Sequence, residues 1–120
     1  MGRRGRRQGK LTAPSSDYGD EQGNTLTLRG SLTPGTRAEY AQVLAGIGGR
    51  ASSTREDAWQ RAVELLFERL AVRWTVSGVP TAGQRELLGR LRMAGPAERQ
   101  WVRGTLRAHC AEWFPDVDVP

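Results

Sequence analysis

The chain is poor in the residues that crosslink, ligate or catalyse. A single cysteine, Cys110, excludes an internal disulfide and leaves a reducing, cytoplasmic setting as the default. A single histidine, His109, stands beside it. Neighbouring positions on a helix diverge by roughly 100°, so the two are badly placed to act as nucleophile and base. His109 falls with Val102, Leu106 and Trp113 on an apolar face, the position of a core or boundary histidine, and Cys110 reads as a small buried apolar residue. Two potential ligands are too few for a zinc site. No glycine-rich phosphate loop joins a strand to a helix, and no serine-nucleophile motif is present. The expectation is a protein that is not an enzyme and carries neither metal nor cofactor.

Long apolar runs are missing too. None approaches the ~18 residues of a membrane span. The N-terminus is basic but lacks the apolar core of a signal peptide, so neither export nor membrane anchoring is expected. No internal repeat of useful period occurs. Lysine is almost absent, with Lys10 alone against seventeen arginines. A GC-rich genome produces the same ratio, so it carries no argument about guanidinium chemistry.

What is present fits one domain. A chain of 120 residues can bury a modest core unaided, and four tryptophans each bring a large apolar area to it. The net charge of +5 is unevenly placed. Residues 1–10 hold Arg3, Arg4, Arg6, Arg7 and Lys10 and no acid, whereas the remainder carries as many arginines as acids. A neutral body with a basic arm is a different object from a uniformly basic protein. Residues 1–16 are rich in Gly, Arg and Ser, bury too little to offset the entropy of ordering, and are expected to be disordered when free.

Clustered arginines separated by glycine suit a segment that tracks a phosphate backbone or enters a narrow minor groove. GRRGRR is similar to the central part of an AT-hook, without the proline that usually follows Gly-Arg there. It is equally similar to an arginine-rich RNA-binding segment. A solubilising extension, or an arm gripping an acidic protein surface, would use the same letters.

The body reads as helices. Residues 54–76 form the longest pattern free of Gly and Pro, with Trp59, Val63, Leu66, Phe67, Leu70 and Trp74 on one broad face and Ser53 and Glu56 as a capping box. A helix apolar over most of its circumference belongs at the centre of a domain. Thr33-Pro34 opens a helix over about 35–46 that stops at Gly46, Gly48 and Gly49, with Thr36 and Glu39 as an alternative start. Gly78-Val79-Pro80 closes the central helix, and Thr81 with Gln84 opens a third over about 82–94. A fourth spans about 96–113, bounded by Pro96 and Pro115. Residues 17–30, where Leu26 and Leu28 alternate with polar neighbours after Gly23-Asn24, leave room for one short β-hairpin or for an extended segment lying across the helices. The expected fold is all-α: an irregular four-helix bundle in residues 17–120, with a basic arm in 1–16.

A second basic feature lies in the last two helices. Arg99, Arg103 and Arg107 recur at intervals of four, and Arg85 and Arg92 lie seven apart. Two helices joined by a tight glycine turn invite a helix-turn-helix reading. Pro96 directly after Gly95, and Gly104 where a buried aliphatic is needed, argue for a solvated basic face on an ordinary helical hairpin instead. Trp101 lies off the main apolar stripe, as the flank of a core contact or as an anchor for a partner. The expected function is therefore a non-enzymatic association with nucleic acid (DNA or RNA) or a nucleoprotein. Arg3, Arg4, Arg6, Arg7 and Lys10 would contact backbone, and Arg85, Arg92, Arg99, Arg103 and Arg107 would assist. Phosphate contacts of this kind position a protein without reading bases. The alternative is a protein-interaction adaptor or assembly component that docks a partner or a second copy through Trp101.

Overall fold

The computed structural model describes residues 14–50 and 54–120. The elements run β1 (Ser15–Gly19), β2 (Thr25–Arg29), α1 (Pro34–Leu44), α2 (Arg55–Leu70), β3 (Ala71–Val76), β4 (Val79–Ala82), α3 (Gln84–Arg92) and α4 (Pro96–Trp113). The strands make one four-stranded sheet in the order β1-β2-β3-β4, each neighbour antiparallel. The fold is α+β, so the expected all-α helical bundle is incorrect.

The helical pattern of residues 54–76 breaks at Leu70, and residues 71–76 leave it directly as β3. Trp74, four after Leu70, satisfies a helical period as well as a strand position, which is why the pattern misleads. Val72, Thr75 and Val76 are β-branched and fit a pleated surface. What decides the conformation is pairing on both sides, with β2 and with β4.

The Ser77-Gly78 step then acts as a hairpin turn and not as a helix stop. Val76 faces Val79 across it, and both loop residues have positive φ, 52° and 78°. That is the mirror-image turn favoured by two-residue hairpins. Thr81, expected to open α3, lies in β4, and α3 starts instead from Gly83 at φ 94° with no side-chain cap.

A register shift between Thr27 and Leu28 has a further consequence. Thr27 pairs with Arg73 and Leu28 with Ala71, leaving Val72 as the extra residue. Strict alternation would put Ala71 and Trp74 on opposite faces; the bulge lets both be buried. The hairpin allowed for in residues 17–30 is present as β1 and β2, beginning two residues earlier at Ser15, and it supplies half of the sheet.

Helix ends follow local chemistry. Thr33 caps α1 by accepting from Thr36 N at 3.1 Å, with Pro34 in the first turn. At α2 the capping box is Thr54 with Asp57, one residue beyond the expected pair: Thr54 Oγ1 accepts from Asp57 N at 3.1 Å, and Asp57 Oδ2 from Thr54 N at 2.9 Å. Ser53 lies outside the described residues. Arg29 donates to the carbonyls of Arg69 and Ala71, satisfying oxygens that α2 leaves open at its end.

The core lies where the helices meet the sheet. Leu26, Leu28, Leu66, Phe67, Leu70, Val102 and Leu106 are fully buried in it. Trp74 stands edge-on to Phe67, with ring centroids 5.9 Å apart, and Arg90 covers its face at 4.8 Å while pairing with Glu98 at 2.8 Å.

Candidate functional site

The basic arm, Arg3, Arg4, Arg6, Arg7 and Lys10, lies outside the described residues, as do residues 1–13 of the 1–16 segment expected to be disordered. Ser15 and Ser16, assigned to that arm, belong to β1.

The arginines at intervals of four do share one side of α4, where it faces α2. Arg99, Arg103 and Arg107 line a groove of about 390 Å³ with Gln60, Val63 and Glu64 of α2 and with Leu91 of α3. Their guanidinium groups are already engaged with the protein's own main chain. Arg99 Nε donates to Ala94 O at 3.1 Å and its Nη2 to Arg92 O at 2.7 Å, clasping the α3–α4 turn. Arg103 Nε and Arg107 Nη2 converge on the main-chain oxygen of Pro120, each at 2.9 Å. Arg107 Nε reaches Val119 O at 3.4 Å, and Arg103 Nη1 meets Glu56 at 3.2 Å. The stripe therefore secures the closing segment of the fold. A second set of ties holds the same segment: Tyr40 donates to Asp118 O, and Arg37 pairs with Asp116 at 2.8 Å and lies over Phe114.

The two arginines of α3 diverge. Arg92 pairs with Glu64 at 3.1 Å across to α2. Arg85 is exposed beside Glu86 in the first turn and makes no ion pair among the described residues. The structure thus brings Arg99, Arg103 and Arg107 to one groove, with Arg92 meeting its Glu64, and leaves Arg85 apart from it.

His109 is fully buried, and both its ring nitrogens are occupied. Nε2 lies 2.6 Å from Arg29 O, and Nδ1 lies 2.7 Å from Tyr18 Oη. A carbonyl only accepts, so the network assigns the proton to Nε2, and Tyr18 donates to Nδ1. Burial pushes the imidazole below its ordinary pKa, partly offset by the bond to Arg29. Burial likewise raises the Tyr18 phenol and moves the Cys110 thiol up to about 11. This arrangement ties α4 to the first hairpin through a neutral histidine. It presents neither an activated nucleophile nor an accessible base. Among the described residues no group of three or more His, Cys, Asp or Glu side chains could hold a metal ion.

Trp101 is half-buried and packs against the core, with its remaining surface in a depression of about 570 Å³ beside Trp74, Glu98 and the β1–β2 turn. Asp20 in that turn is committed to its own loop, accepting from the main-chain N–H groups of Gln22 and Asn24 and from the Asn24 side chain.

The groove's second wall, Gln60 and Glu64, and its apolar floor escape sequence reasoning because they come from other helices. One signal was present: Gly104 inside α4. Glycine costs stability in a helix interior and leaves open space at its position. A Cβ built there would meet nothing within 4 Å. No helix among the described residues is long and apolar enough to cross a membrane. Compared with known proteins, the chain matches no family model, no characterised protein and no solved structure.

Proposed function

We propose that this protein is a non-enzymatic, intracellular nucleic-acid-associated protein that grips phosphate backbone through its basic arm, the α+β body serving as scaffold. The carrying observation is the segregation of charge: the entire excess of +5 lies in residues 1–10, on a body whose charges balance. The bonding of the α4 stripe supports giving the arm the main contact and the stripe an assisting one. Arg99 and Arg107 are held by main-chain oxygens, and Arg92 and Arg103 face carboxylates. Arg3, Arg4, Arg6, Arg7 and Lys10 carry the affinity in this reading, and base sequence is not read.

The test is fluorescence anisotropy with labelled duplex DNA and single-stranded RNA, comparing the full chain with a chain lacking residues 2–10. Five neutralised phosphates predict a slope of log K against log salt of about −4.5 on duplex and about −3.5 on single strands. Affinity for duplex then falls roughly 500-fold between 50 and 200 mM salt. Loss of the arm abolishes this binding, whereas Arg85→Gln leaves the slope unchanged. No binding at low salt, or binding indifferent to the arm, sinks the proposal. Self-association that survives high salt and nuclease would instead favour the adaptor reading, with Trp101 as its anchor.

A further inference from the structure

We propose that the groove between α2 and α4 binds a small organic anion, a carboxylate or phosphate monoester carried on an aliphatic body. Its volume of about 390 Å³ lies within the range of small-molecule sites. Its floor is apolar: Val63, Leu91 and Val102 line it and are themselves buried. Its rim is cationic, with Arg99, Arg103 and Arg107 along one wall. Among the described residues one carboxylate lines it, Glu64, and Arg92 opposes it at 3.1 Å.

The arginines are preorganised. Main-chain oxygens fix each guanidinium, so an incoming anion need not order long flexible side chains. Each also keeps one terminal nitrogen without a partner among the described residues: Nη1 of Arg99, Nη2 of Arg103 and Nη1 of Arg107. Arg99 and Arg107 form no ion pair with an Asp or Glu side chain among the described residues. Charge-assisted bonds to an anionic oxygen are the strongest use of such donors.

Two features narrow the ligand. Among the described residues no aromatic side chain lines the groove, so a nucleobase would find nothing to stack on. Gly104 carries no side chain into the groove, and the open space above it leaves room for an aliphatic body.

The experiment is a titration of the isotope-labelled full chain with octanoate, octyl phosphate, octanol and inorganic phosphate, followed by backbone amide shifts. Octanoate or octyl phosphate should move the amides of Gln60, Gln100 and Gly104, and whichever binds tighter identifies the head group. Octanol and inorganic phosphate should each bind about tenfold more weakly, since each lacks half of the complementarity. Gly104→Leu fills that space and should weaken anion binding at least about tenfold with the melting temperature maintained. Arg107→Gln, at the exposed end of the groove, should weaken the anions and leave octanol unchanged. Absence of shifts at those amides up to about 10 mM, equal binding of octanol, or undiminished binding by both variants would overturn the assignment.

Discussion

Acidification should loosen the contact between α4 and the first hairpin, and His109 sets where. Its ring accepts from Tyr18 and donates to Arg29 O, so it is neutral in the folded protein. Burial holds its folded pKa below the unfolded value of about 6.5. The unfolded chain therefore binds a proton first as pH falls, and the stability carried by neutral His109 is complete above about pH 6.5. It declines below that point, by at most about 1.4 kcal/mol per pH unit, until the folded-state pKa is passed. The ionisable groups acting on the ring are Tyr18 and Glu112, and the Cys110 thiol next to it stays protonated throughout the window, with its pKa at about 11.

The assay is urea unfolding followed by tryptophan fluorescence at pH 7.5, 6.5 and 5.5, for the natural chain and for His109→Gln. A glutamine amide offers one donor and one acceptor but does not titrate. Carboxylates affect both proteins alike, so the difference between the two profiles isolates the histidine. It should be flat from pH 7.5 to 6.5 and then close in favour of the variant at lower pH. Parallel profiles throughout would refute the reasoning.

Other outcomes follow from single contacts. Trp74→Ala should cost about 3–5 kcal/mol in denaturant unfolding, because it empties a site that is 2 % exposed. Gly30→Ala should lower the melting temperature, since a Cβ there would lie 2.7 Å from the Trp113 ring. Gly89→Ala meets open space within α3 and should stabilise by about 0.5–1 kcal/mol in the same unfolding assay. Thr54→Ala removes the side-chain cap of α2, leaving the main-chain bond to Asp57, and should cost about 1 kcal/mol in the same assay.

The parts of the fold legible in the sequence are those governed by neighbours in the chain. Thr33-Pro34 starts α1 and Pro96 starts α4 because a helix terminus is decided by residues within one turn. Ala71 to Val76 was not legible, because its conformation depends on β2, some forty residues earlier, as much as on its own composition. Ser77-Gly78 carries a signal that both a helix stop and a hairpin can use. The spacing of Arg99, Arg103 and Arg107 showed a shared face but not its use, since most of their acceptors are main-chain oxygens, which have no letter in a sequence. For the same reason Tyr18, ninety-one positions from His109, gave no sign of their bond.

The order β1-β2-β3-β4 also sets how the chain must assemble. Each outer pair is a hairpin whose strands are adjacent in sequence, while the β2–β3 seam joins segments separated by α1 and α2. Hairpins form in microseconds, but a non-local seam must first meet the entropy of closing a long loop. That entropy grows slowly with length, about 0.6 kcal/mol per doubling. Lengthening the connection between α1 and α2 would therefore slow folding little. Weakening Leu26 against Trp74, which face each other across the seam, should slow folding more, because that contact joins the two hairpins into one sheet.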